Sequence, residues 1–240
     1  MLKGKTVFIT GGTSYLGSEI CRKAAFYGAD VIFSYHRNKE KAEELCREIP
    51  KTKAVQINLL DVKDIKSKIE TMYSEYPKID VLVNNAGIAQ VMPLPLVEEE
   101  DVDLVMDLNM KGTFFVTKNI VKGMIRNKSG VIISMGSIAG TRMYDVPVTY
   151  AMTKAAIQGF TYSLAVELKR FGIRVNAVVP GLMESGVGQG VPESLKSDFI
   201  AHCAAGRLGN AVDVAELVCF LASDRASYIN GQNIAIDGGI

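Results

Sequence analysis

A doubly wound parallel α/β sheet of about seven strands is the fold class this sequence predicts, on three observations. Short β-branched runs recur along the whole chain, and stretches of helical spacing separate most of them. The runs are apolar on both faces, as strands covered by helices on two sides must be. At 240 residues and 48% hydrophobic content the chain can bury one substantial core, so a single domain spanning 1–240 is expected.

The first run, "TVFIT" from Thr6, stops at Gly11 and Gly12, and helical spacing takes over from Gly17 to Tyr27. A strand, a glycine turn and a helix in that order place residues 11–17 at the carboxyl edge of the sheet. There, backbone N–H groups and the helix dipole favour a pyrophosphate, although a glycine-rich turn can also merely close a tight corner. The second run, "DVIFSY" from Asp30, ends in His36, Arg37 and Asn38, with no acid before Glu40. An acid here would bond the ribose 2′-OH of NAD, and a base would meet the 2′-phosphate of NADP. Arg37 therefore favours NADP over NAD, the alternative being that His36 and Arg37 are ordinary exposed polar residues. The order then continues as helix Lys39 to Arg47, strand "KAVQI" from Lys53, helix Val62 to Tyr73 and strand "IDVLV" from Ile79. The acidic cluster Glu98 to Asp101 reads as the solvated first turn of a helix. Strand "GVIISM" from Gly130, helix Thr149 to Arg170, strand "IRVNAVV" from Ile173 and strand "NIAI" from Asn233 complete the pattern.

Lys and Arg total 27 against 26 Asp and Glu, so no field of one sign draws the chain to nucleic acid or an anionic membrane. Cys21, Cys46, Cys203 and Cys219 have no CxxC or metal-ligand spacing, which suits reduced thiols in a cytoplasmic protein and leaves neither a disulfide nor a metal site expected. The apolar run near the start ends at Gly11, too short for a signal peptide or a membrane span.

Chemistry concentrates between Gly130 and Lys154. Ser137 follows a strand, and Tyr150 and Lys154 stand four apart on one helix face. At about 6 Å and an effective dielectric near 20, an ammonium favours a phenolate by roughly 3 kcal/mol, about two pKa units. Such a tyrosine can give or take a proton at working pH.

At these residues the chain resembles the short-chain dehydrogenase/reductase family, in its compact one-domain form, over essentially its full length. The resemblance rests on Tyr150-x-x-x-Lys154, Ser137 thirteen residues earlier, "NNAG" at Asn84 to Gly87, "LNMKGTF" with Asn109, "PG" at Pro180 and "YINGQNIAIDGG" near the end, all in the family's order. It implies that Tyr150 protonates the alkoxide formed when hydride reaches a carbonyl, and that Ser137 bonds the carbonyl oxygen. Lys154 would lower the Tyr150 pKa and, with Tyr150, touch the nicotinamide ribose; Asn109 would hold a water that links Lys154 to solvent. Cofactor contacts are implied at Gly11, Ser14, Tyr15, Leu16 and Gly17 for the phosphates, at Arg37, and at Asn58 and Leu59 beside the adenine. Asn85, Ala86 and Gly87 match the adenosine-ribose contact, and Pro180, Gly181, Met183 and Ser185 the nicotinamide carboxamide. The chain departs from the compact pattern at Ser14, where arginine is common, at Tyr15, where glycine or alanine is usual, at Asn58 in place of Asp, and at Ser185 in place of Thr. An aromatic at position 15 has precedent in larger relatives, where its backbone serves phosphate and its ring packs outside.

Within the family, the run Gly206 to Gly239 looks most like 3-oxoacyl-[acyl-carrier-protein] reductases. That implies NADPH-dependent reduction of an acyl thioester carried by acyl carrier protein, in fatty-acid or related synthesis, with Lys128, Lys169 and Arg170 as basic contacts near the cleft. Residues 182–205, rich in Gly, Met and small polar residues, would form a lid over the substrate. The rival readings are a dehydrogenase of another alcohol, sugar or steroid, and a dinucleotide-binding regulator without turnover. The resemblance further implies a homotetramer.

Overall fold

Seven parallel strands lie in the order β3-β2-β1-β4-β5-β6-β7. They are β1 (Thr6–Ile9), β2 (Asp30–Tyr35), β3 (Thr52–Gln56), β4 (Val81–Asn84), β5 (Gly130–Met135), β6 (Ile173–Pro180) and β7 (Asn233–Ile236). The structure is a computed structural model and describes residues 1–142 and 145–240. Strand order reverses between β1 and β4, and the carboxyl ends on either side of that reversal open the crevice where doubly wound sheets bind ligands.

Period-2 alternation sorts each strand's side chains to two cores. Val7, Ile9, Val31, Phe33 and Val83 enter one, packed on Ile20 of α1 (Tyr15–Phe26) and on Val214 and Val218 of α8 (Ala211–Ala222). Phe8, Ile32 and Leu82, the residues between, enter the other. There they meet Ile65 and Ile69 of α3 (Val62–Glu75), Ile120 of α5 (Thr113–Asn127) and Leu168 of α6 (Val148–Leu168). Each such side chain, fully buried, contributes about 1.5–3 kcal/mol, which is why the parallel strands must read as apolar on both faces. The remaining helices are α2 (Lys39–Glu48), α4 (Glu99–Met106) and α7 (Glu193–His202).

Local sequence explains the ends. Asp61 caps α3 by accepting from the N–H groups of Lys63 and Asp64, and Asn210 and Asp213 cap α8 reciprocally. The acidic cluster does open a helix: Glu98 and Asp101 form the capping box of α4. Between α4 and α5 the backbone widens into a π-helical turn, Asp107–Gly112, which carries Asn109. Among the described residues no helix is long and apolar enough to cross a membrane, and no cluster of His, Cys, Asp or Glu is placed to hold a metal.

Candidate active site

The glycine turn closes only because side chains are missing from it. Gly11 takes φ +67°, and a Cβ on Gly17 would run into the Gly11 carbonyl. Ser14 caps α1 with its hydroxyl, accepting from the Gly17 N–H at 3.1 Å, so the helix begins at Tyr15 and its first-turn N–H groups face the crevice without intrahelical partners. The turn is held from two sides. Ser34 of β2 accepts the Gly11 N–H at 3.2 Å. Asn85 donates its amide to the carbonyls of Thr10 (2.9 Å) and Gly11 (3.1 Å) and to Ser14 Oγ (3.1 Å). Thr10, which the sequence reading passed over, accepts the N–H groups of Asn85 and Ala86 at 3.0 Å each and so ties β4 to the turn.

Tyr15 turns its ring out of this cradle. The phenol donates to Glu184 Oε1 at 2.7 Å and accepts the Ala211 N–H at 3.2 Å. Burial, and then the Glu184 bond, hold it above the ordinary tyrosine range.

A cavity of about 490 Å³ runs from this turn along the carboxyl edge of the sheet. Ser137, Tyr150 and Lys154 line one wall, and Gly87, Pro180, Gly181, Met183 and Ser185 stand along it. Val146, Val187, Leu195 and Phe199 also line the cavity, with Asp145, Asp198 and His202. Ser137 sits just past β5 in extended conformation and caps a short 3₁₀ turn. Its hydroxyl lies beside the Tyr150 phenol, close enough to lower the phenol pKa. The Lys154 ammonium lies 5.5 Å from the centre of the Tyr150 ring and donates to the Met135 carbonyl at 2.8 Å.

The electrostatics correct the expectation drawn from spacing. Burial pushes the Tyr150 phenol above its ordinary range, and the neighbouring Ser137 hydroxyl only partly opposes it. Burial also pulls Lys154 down, to about 8. Both groups sit where a charge is poorly solvated, a term that helix geometry alone leaves out.

Asn109 is buried behind the wall. Its carboxamide exchanges two hydrogen bonds with the Ile88 backbone, at 2.9 and 2.8 Å, and donates to Thr153 Oγ1 at 3.1 Å. Thr153 in turn donates to the Tyr150 carbonyl at 2.8 Å. The Asn109 side chain is thereby committed to protein, and a relaying water would have to sit on its main chain. A Cβ on Gly87 would come within 3.2 Å of Asn109 Oδ1 and 3.6 Å of Lys154 Nζ, so backbone passes closely over both.

Other sequence-predicted positions lie apart from the cavity. Asn58 Oδ1 accepts from its own loop, at Leu60 N–H (3.2 Å), which leaves it a second lone pair, and the Leu59 side chain is in the core, so only its backbone faces outward to a ligand. Arg37 is exposed just past β2, with no ion-pair partner among the described residues. Lys128, Lys169 and Arg170 are not near the cleft of this chain. They precede β5 and β6, at the amino edge of a parallel sheet, and β5 puts about 17 Å of strand between that edge and Ser137.

Comparison with known proteins places this geometry. A family model described as "Enoyl-(Acyl carrier protein) reductase" matches residues 12–240. The chain is 37% identical to the 3-oxoacyl-[acyl-carrier-protein] reductase FabG of Staphylococcus aureus, over 98% of each chain. It is 38% identical to the FabG of Thermotoga maritima, over 100% of this chain and 98% of the other. A crystal structure of a gluconate 5-dehydrogenase from Burkholderia cenocepacia, in complex with NADP and tartrate, superposes with a TM-score of 0.93 at 28% identity, over 99% of this chain and 95% of that one. The chain belongs to the short-chain dehydrogenase/reductase family and is an NAD(P)-dependent oxidoreductase acting on the CH–OH/C=O couple.

Proposed function

We propose that this enzyme reduces a 3-oxoacyl thioester, carried by acyl carrier protein, to the 3-hydroxyacyl form with NADPH. One observation carries the reading: Ser137, Tyr150 and Lys154 line one cavity together with the apolar side chains of Val146, Val187, Leu195 and Phe199. The cradle fits a dinucleotide, since the bare turn at Gly11 and Gly17 and the α1 N-terminus leave room and donors for a pyrophosphate. Arg37, free at the end of β2, would hold the 2′-phosphate, and the Asn58–Leu59 and Asn85–Gly87 backbones the adenosine. Pro180, Gly181, Met183 and Ser185 would meet the carboxamide. When bound, NADPH supplies the hydride.

The residues do the rest. Ser137 donates to the substrate oxygen, and Tyr150 transfers its proton to that oxygen as negative charge develops there. Lys154, positioned by the Met135 carbonyl, places a cation beside the phenolate left behind. Asn109 is a positioning residue that fixes Ile88 and, through Thr153, the helix bearing Tyr150 and Lys154. Residues 182–205 cover the substrate. The apolar side chains of Val146, Val187, Leu195 and Phe199, which line the same cavity, suit an acyl chain.

A second reading, oxidation of a sugar acid, is favoured by the gluconate 5-dehydrogenase likeness. A free carboxylate needs a cation, yet among the described residues Lys154 is the one lysine or arginine lining the cavity, which Asp145 and Asp198 also line. NADPH oxidation with acetoacetyl thioesters, set beside NADP reduction with gluconate, tests the choice. Turnover with the thioester supports the reductase, turnover with gluconate alone replaces it with the second reading, and NADPH binding without turnover leaves a regulator. We further propose a cytoplasmic homotetramer. The four unpaired thiols suit a reducing compartment, and exposed Phe114 of α5 with Met152, Tyr162 and Val166 of α6 offer an apolar face for assembly.

A further inference from the structure

The segment after β6 is poor at holding its own shape. Gly181, Gly186, Gly188 and Gly190 fall within ten residues, and Gly186 takes φ +73°. On one side it is pinned to the loop before α8, through Glu184 N–H to the Gly209 carbonyl and Gly209 N–H to the Leu182 carbonyl, each 3.0 Å. On the other side lies Tyr15. Its phenol reaches Glu184 Oε1 at 2.7 Å and the Ala211 N–H at 3.2 Å, and a Cβ on Gly186 would touch the Tyr15 Cβ at 3.4 Å. One side chain thus joins three elements: the first residue of α1, the strand-to-lid segment and the first residue of α8. Burial and the carboxylate keep the phenol protonated, so it remains a donor.

We propose that Tyr15 is a positioning residue that latches the lid-bearing segment 182–186 to the phosphate turn through Glu184, so that the two walls of the cofactor cleft are held at a fixed spacing. The proposal rests on the reading that the cofactor lies between those walls, and goes beyond it in giving the Tyr15 side chain, rather than its backbone, the task. Loss of the latch lets segment 182–186 open, and each cofactor binding event must then order it again. The effect falls on cofactor affinity and spares the chemical step, because neither group touches the reacting carbonyl.

Tyr15→Phe removes both hydrogen bonds and keeps the ring; Glu184→Ala cuts the same bond from the exposed side, where folding is least at risk. Amide hydrogen exchange of the protein alone, NADPH dissociation constants and steady-state kinetics are measured for both variants and for the pair combined. Exchange over residues 182–190 should quicken at least tenfold in each, the NADPH dissociation constant should rise about fivefold to tenfold, and the double variant should be no worse than either single one. For Glu184→Ala, KM for NADPH should rise while kcat stays within about twofold. Unchanged exchange, additive losses, or faster exchange with unchanged NADPH affinity would each overturn the latch. If the unaltered protein binds no NADPH, the cofactor reading fails, and the exchange arm still decides whether the latch exists.

Discussion

The two halves of the cleft are built from different materials. Along β5 and α6, side chains face the cavity: Ser137, Tyr150 and Lys154 line one wall. Around the glycine turn, the polar side chains face the protein. Ser14 caps α1, Asn85 braces Thr10 and Gly11, Asn58 turns back to Leu60 and Leu59 packs inward. What remains for a cofactor on that side is backbone, plus Arg37, which has no ion-pair partner among the described residues. The difference teaches that the reaction is specified by residue identity, whereas dinucleotide binding is specified by shape. A shaped turn tolerates unusual residues such as Ser14 and Tyr15 provided the glycines on either side of them are kept.

The sharpest break between the halves is Tyr150→Phe. It removes the proton donor beside Ser137 and leaves the backbone cradle untouched. Turnover should fall by about a thousandfold or more, within the range for a lost general acid. The NADPH dissociation constant, read by fluorescence titration, should change by less than about threefold, an allowance for one lost ribose contact. Comparable losses in both quantities would mean that the two halves are not separable.

Lys154 supplies the next largest effect, on stability. Its ammonium is buried and its pKa is about 8, against an ordinary value near 10.4. Between those two values the unfolded chain binds more protons than the folded one, so stability rises with pH through that window. Below pH 8 both states are protonated and the full penalty stands, on the order of 3 kcal/mol. Lys154→Met lacks this dependence. Urea unfolding of both proteins should show the native enzyme gaining on the variant from pH 8 to 10, with no relative change from pH 6 to 7. A parallel response across the whole range would show that the ammonium is better solvated than its surroundings indicate. The catalytic wall is therefore kept at a cost to stability, as functional sites often are, and no comparable strain is built into the backbone cradle.

What could be read in the sequence follows the same division. The strands from Asp30 to Tyr35, Gly130 to Met135 and Asn233 to Ile236 coincide with the observed ones, because alternation and charged or glycine stops are local signals. Ser137, Tyr150 and Lys154 were legible as residue types at a spacing. The start of α1 was placed at Gly17 instead of Tyr15, since Ser14 acts as a cap with no acid in the first turn to flag it. No local signal marks the π turn at Asn109. It serves contacts made far away in the chain, with Ile88 and Thr153, and Gly112 lies where a Cβ would press on Leu59. The pKa directions at Tyr150 and Lys154 were missed because burial is a property of the fold and not of spacing. The misplacement of Lys128, Lys169 and Arg170 had a remedy in the sequence itself: residues that immediately precede a parallel strand belong at the edge opposite the crevice.

The smallest effect tests the one side chain that the backbone half cannot replace. Arg37 is exposed, so a contact with a 2′-phosphate there is partly screened, and the expected loss on Arg37→Ala is about tenfold, near the lower end for a charge-assisted pair. That loss should appear in KM for NADPH and be nearly absent for NADH, which has no phosphate at this position. Raising the salt concentration should shrink the NADPH difference in the native enzyme and leave the variant flat. Equal changes for the two cofactors would show that Arg37 shapes the loop after β2 instead of reading charge. Cofactor choice would then rest, like the remainder of that half, on backbone geometry alone.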